Sequence, residues 1–200
     1  MDDLTRPTRR AARPAPGPRR TLTSWALLLL LYCAPAVAAD RVPVSARAGL
    51  DLADAAARIW SPDASLIYLE NDEALDSHGA APRWGYLYYS PTLEKARVYS
   101  VRAGKIVVAE DLQMKFEAPP VAGDWIDSGT AFQLADAGAA RRFCFEHDAR
   151  LETMLLMRGA IQEDDPDQTT WMLVYTAPNV PSLFVVLAAA DGRLLRTWRG

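Results

Sequence analysis

The sequence predicts an α+β fold of two tandem units, each a helix packed on a three- to four-stranded antiparallel β-meander. Two observations carry that prediction. The octet WGYLYYSP, Trp84 to Pro91, is echoed by WMLVYTAP, Trp171 to Pro178, at an offset of 87. Marks around the octets follow in the same order: Gly104 and Gly192 lie 88 apart, and Asp63-Ala64-x-Leu66 matches Asp148-Ala149-x-Leu151 at 85. Self-similarity at a nearly fixed period reads as internal repetition.

Residues before the first unit read as an export signal. Six arginines (Arg6, Arg9, Arg10, Arg13, Arg19, Arg20) precede an apolar run from Trp25 to Ala39. That run is shorter than the roughly 20 residues of a membrane-spanning helix. A basic region, a short apolar region and a small-x-small end describe a cleaved signal peptide over 1–39, leaving Asp40 first. Arg19-Arg20 also fits a twin-arginine signal. Cys33 is a poor lipid-attachment site, because bulky Tyr32 precedes it.

Charge and cysteine content narrow the function classes. The segment before residue 40 takes six of the 22 Lys+Arg and two of the 25 Asp+Glu, so the remainder carries 16 against 23, near −7. Acidic surfaces repel phosphate backbones, so no nucleic-acid partner is expected. Cys144 alone remains after cleavage, so no intrachain disulfide can form and the fold rests on packing.

The first unit, 40–116, opens with LDLADAAARIW, in which Leu52, Ala55, Ala56 and Ile59 recur at helical spacing and Pro62 stops the helix. Strands are predicted at Ser65–Glu70, Trp84–Tyr89, Arg97–Arg102 and Lys105–Glu110, from β-branched and aromatic runs bounded by turn residues. EAPPVAGDW, around 117–126, reads as a linker. The second unit, 127–200, starts at an Asp127 or Ser128 N-cap, with Phe132, Ala135 and Ala139 on one helix face and Gly138 bending or ending the helix. Its strands are predicted at Leu151–Met157, Trp171–Thr176, Leu183–Ala189 and Arg193–Trp198, with Asp191-Gly192 as a hairpin turn. Leu183, Val185, Leu187 and Ala189 alternate with Phe184, Val186, Ala188 and Ala190, so both strand faces are apolar and both should be covered, by the first unit or by a partner.

The stretch from Asp124 to Met157, together with Trp171 to Leu195, resembles a PepSY-like domain. The similar features are Trp125-x-Asp127-Ser128, Ala131 and Ala135, Trp171 opening the middle strand, and Ala190-Asp191-Gly192-Arg193. The first unit resembles a degenerate copy, with Ala103-Gly104-Lys105 in place of Asp-Gly-Arg. The resemblance implies an exported, periplasmic or secreted, non-catalytic module that regulates or inhibits a peptidase or another envelope protein. A structural component of the envelope without inhibitory role is the alternative. No membrane anchor is expected after signal cleavage.

Candidate chemistry is sparse, and no catalytic, cofactor or metal residue is assigned. Cys144 and His147 stand three apart, but Cys144 lies between Phe143 and Phe145, a setting that quiets a thiol. Glu163, Asp164, Asp165 and Asp167, and Asp72, Glu73, Asp76 and His78, form acidic loops without the ligand order of a calcium site. Trp84 and Trp171 are expected in the core. Arg193, Arg196 and Arg199 are the candidate partner-binding residues, on a C-terminal edge that could take up an extended segment of another protein by strand addition.

Overall fold

A computed structural model of the chain describes residues 41–112, 118–159 and 167–200. The signal-peptide reading of 1–39 and the acidic residues Glu163, Asp164 and Asp165 lie outside them.

The first half of the described chain contains α1 (Leu50–Trp60), β1 (Ser65–Asn71), β2 (Arg83–Ser90), β3 (Lys95–Arg102) and β4 (Lys105–Asp111). The second contains α2 (Ser128–Ala137), α3 (Arg141–His147), β5 (Arg150–Arg158), β6 (Thr169–Thr176), β7 (Leu183–Ala188) and β8 (Leu194–Arg199). All eight strands form one antiparallel sheet in the order β4-β3-β2-β1-β5-β6-β7-β8.

That sheet corrects the expected architecture. Two separate helix-on-meander units do not form, and neither half lies on the face of the other. Instead β1 and β5 pair edge to edge through Tyr68↔Met157, Leu69↔Leu156 and Glu70↔Leu155. The physical reason is that each meander would leave its β1 or β5 edge with unpaired N–H and C=O groups, and joining the two edges satisfies both rows at once. The described residues accordingly belong to one compact unit with one main core.

Side-chain alternation decides which face is which. Trp84, Tyr86 and Tyr88 of β2 share a face with Leu69, Leu156, Trp171, Leu173 and Tyr175, and all three helices supply residues to that core. The α1 stripe differs from the expected one. Ala53 and Ala57 are buried, whereas Leu52 is 38% and Ile59 87% exposed. Small side chains let the helix lie close to the large aromatics of β2 and β3, and the bulkier Leu52 and Ile59 are left outside. In α2 the buried positions are Ser128, Ala131 and Ala135; Asp127 caps the helix, accepting from Ser128 N at 2.8 Å, and Gly138 ends it. A smaller cluster of Ile67, Leu87 and Ala96, joined by Tyr68, Val98 and Leu112, lies on the opposite face.

Trp84 and Trp171 fill the main core, 1% and 0% exposed. Each indole N–H reaches a backbone carbonyl just before a helix: Trp84 Nε1 donates to Val44 O at 2.9 Å and Trp171 Nε1 to Ile126 O at 2.8 Å. Burying the ring while its one polar atom keeps a partner is the arrangement an interior Trp requires.

Candidate functional site

The seam between the halves holds a concave surface. After Glu70 the backbone pairing of β1 with β5 stops, and the Asn71 side chain takes over. Its Oδ1 accepts from Met154 N at 2.7 Å, and its Nδ2 donates to Glu73 O at 3.0 Å and Glu152 O at 3.1 Å. From there the 72–80 loop leaves the sheet and reaches the start of α2. Gly79 makes the approach possible: its φ is +71°, and a Cβ there would sit 2.6 Å from Phe132 Cβ. A further tie comes from the segment before α1, where Ala46 N donates to Ser128 Oγ at 3.1 Å and Arg47 N to Asp127 Oδ1 at 3.2 Å. The Arg47 guanidinium covers the Trp125 ring at 3.9 Å and donates to Trp125 O.

Two cavities open beside this loop. One, about 530 Å³, lies between Asn71–Leu75 and Arg150–Thr153. The other, about 330 Å³, lies between the loop, the two helices and the sheet, walled by Leu75, Phe132, Ala149 and Leu151. The two share Leu75, Arg150 and Leu151.

Tyr175 lines the second cavity and is 1% exposed. Among the described residues its hydroxyl is the one buried side-chain oxygen without a hydrogen bond. Burial raises its pKa well above the ordinary tyrosine value, and the negative charges of Cys144 and Asp136 add to the effect. Burial, then Asp136, also raises the Cys144 thiol. A thiol shifted in that direction is a poor nucleophile at neutral pH. His147 does not join it; its ring packs against Phe143 with centroids 4.9 Å apart.

Two acidic residues of the first loop, Asp72 and Glu73, are neutralised locally. Asp72 lies against Arg83 Nε at 3.4 Å and accepts from Ser100, while Glu73 pairs with Arg102. Asp72 can cross β2 because Gly85 has no side chain; a Cβ there would meet Asp72 Oδ1 at 2.6 Å. Asp76 Oδ1 accepts from His78 N and Ala80 N at 2.8 and 3.0 Å, closing the loop's own turn. Among the described residues no group of three or more His, Cys, Asp or Glu is placed to hold a metal ion. Asp63, which accepts from Ser61 Oγ at 2.6 Å and Ser90 Oγ at 2.7 Å, caps the turn after β2 through Thr92 N at 2.8 Å; those bonds hold its carboxyl well below the usual range.

The three C-terminal arginines are not brought to one surface. Arg199 lies 4.1 Å over the Phe143 ring on the helix side and donates to Pro181 O at 2.9 Å. Arg196 lies over Trp198 at 5.3 Å on the other side, and Arg193 sits in the β7–β8 turn beside Asp191 at 4.0 Å. Period-two alternation separates Arg196 from Arg199, because three positions along a strand change the face. Tyr175 and Asp136 were not singled out by sequence reasoning as site residues. The available signal was that Tyr175 holds the octet position of Tyr88, with a helix-breaking glycine in the segment above it.

No family model and no curated protein matches the chain. A solved structure described as a "putative lipoprotein" from Clostridium difficile 630 is similar in fold, with a TM-score of 0.53 and 10% sequence identity, over 76% of this chain and 93% of that one. No helix among the described residues is long and apolar enough to cross a membrane.

Proposed function

We propose that this chain is an exported, non-catalytic binding module that acts on another envelope protein, in the manner of the PepSY-like domains its C-terminal sequence resembles, with a peptidase as the first partner to test. The observation that carries this reading is the sheet face opposite the helices. Met157, Met172, Val174 and Phe184 lie on it half-buried, and Trp198 of the edge strand stacks on Phe184 with ring centroids 4.8 Å apart. An antiparallel sheet with one free face ordinarily turns polar residues outward; an apolar outer face marks a surface that another protein covers. The basic and apolar pattern of 1–39 supports export, and the fold likeness to a protein described as a lipoprotein agrees with an envelope address.

Site-specific photocrosslinking tests the partner. p-Benzoylphenylalanine in place of Phe184 should give one discrete heavier adduct in the envelope fraction, and the same group in place of Phe145, which is 89% exposed on α3, should give none. Equal adducts from both positions, or none from Phe184, would overturn the reading. Intact-mass measurement of the envelope protein checks export separately; the expected chain begins at Asp40, and a retained 1–39 segment counts against it.

A further inference from the structure

We propose that the cavity beneath the 72–80 loop is a binding site for a small organic cation, a primary ammonium group carried on an apolar body. This does not depend on the protein partner proposed above.

Three features of the cavity point to that chemistry. Its volume, about 330 Å³, falls at the lower end of the roughly 300–1,000 Å³ range of small-molecule sites. Its walls are apolar, with the Phe132 ring among them, and so suit a hydrocarbon or aromatic body. Groups that can accept a hydrogen bond line it: the Tyr175 hydroxyl, which has no partner among the described residues, the Asp136 carboxylate and the Cys144 sulfur. Asp136 itself has no hydrogen bond or ion pair with another described residue. Asp136, Tyr175 and Cys144 all line this one cavity.

The remaining charged groups agree with this reading. Asp76 adds a second carboxylate at the rim, its Oδ1 already held by two backbone N–H groups. Arg150 is the one cation among the described lining residues; it is exposed, where water and salt screen it. An anionic ligand would meet two carboxylates, and a purely apolar one would leave the Tyr175 hydroxyl unpaired in its presence. An ammonium group donates to that hydroxyl and neutralises Asp136 together.

Titration of the purified protein by heteronuclear NMR with 2-phenylethylamine, 2-phenylethanol and 3-phenylpropionate separates the possibilities, since the three probes share a body and differ in head group. The amine should saturate, shift resonances of Tyr175, Cys144 and Leu151, and bind about ten-fold more tightly than the alcohol or the acid. Tyr175→Phe and Asp136→Asn should each weaken the amine by about ten-fold while leaving the dispersed spectrum of the folded chain intact. The proposal is overturned if the amine does not saturate below about 10 mM, if the alcohol binds as well as the amine, or if the amine's affinity survives either substitution. Unchanged amine affinity in Tyr175→Phe would assign the hydroxyl to a trapped water, and it overturns the proposal equally.

Discussion

Tyr88 and Tyr175 stand at the same place in their octets, on the same face of the sheet, under a helical layer, and only one of them finds a partner. Tyr88 donates its hydroxyl to Asp54 of α1, Tyr86 to Ala46 O at 2.8 Å and Tyr99 to Ala56 O at 3.3 Å. Among the described residues Tyr175 finds no hydrogen-bond partner. The difference lies in the helices. α1 runs unbroken for 11 residues across the first half and places Asp54 over Tyr88, whereas the covering segment of the second half stops at Gly138 and resumes as α3. The cavity in the second half is lined by Asp136 of α2 and Cys144 of α3, whereas in the first half Asp54 of α1 takes the Tyr88 hydroxyl. Two strand segments of similar sequence therefore make a filled core on one side of the seam and a candidate site on the other.

The largest expected effect tests what the halves share. Trp84→Ala and Trp171→Ala should each lower the unfolding free energy by about 3–5 kcal/mol in denaturant titrations, since both rings are fully buried with their N–H groups paired. A large loss for one and a small loss for the other would break the equivalence of the two cores. The seam comes next. Asn71→Ala leaves Met154 N–H and Glu152 O without their side-chain partner and should cost about 1–3 kcal/mol by the same measurement. No effect would mean that the three backbone pairs of β1 and β5 hold the halves together unaided.

Alkaline pH sharpens the comparison further. Burial raises the pKa of Tyr86, Tyr88 and Tyr175 above that of an unfolded chain; at Tyr88 the Asp54 bond and charge add to burial. The unfolded chain then loses these protons first. Stability supplied by the neutral rings is fully present below about pH 10 and falls as pH rises through and beyond it. Melting temperatures should decline from about pH 10 upward, and less steeply in Tyr88→Phe, which removes one of the groups. A profile flat to well above pH 10 would contradict the burial assigned to these rings.

Much of this fold can be read from residue order. β-branched and aromatic runs mark the eight strands to within a residue or two, and the Asp127 cap and the Gly138 stop bound α2. The joining of β1 to β5 cannot be read, because backbone pairing between edges is indifferent to side-chain identity; Leu69 opposite Leu156 looks like any other pair of core residues. The buried face of α1 departs from its bulkier periodic residues for a related reason. Periodicity finds Leu52 and Ile59 and Ala53 and Ala57 equally well, and only the size of the opposing Tyr86, Tyr88 and Tyr99 rings selects the alanines. Nor does a sequence record which buried hydroxyl lacks a partner, since that depends on where a broken helix resumes.

One paired measurement bears on the central claim that the second half is left open where the first is closed. Equilibrium unfolding of Tyr88→Phe and Tyr175→Phe compares the loss of one hydroxyl in each setting with the ring retained. Tyr88→Phe should cost about 1.5–3 kcal/mol, since it removes a hydrogen bond to a carboxylate and leaves Asp54 without that donor. Tyr175→Phe should cost about 0 kcal/mol or stabilise slightly, because the hydroxyl it removes is buried and unpaired. Equal losses at the two positions would show that Tyr175 has a partner after all, and that the cavity above it is closed in solution.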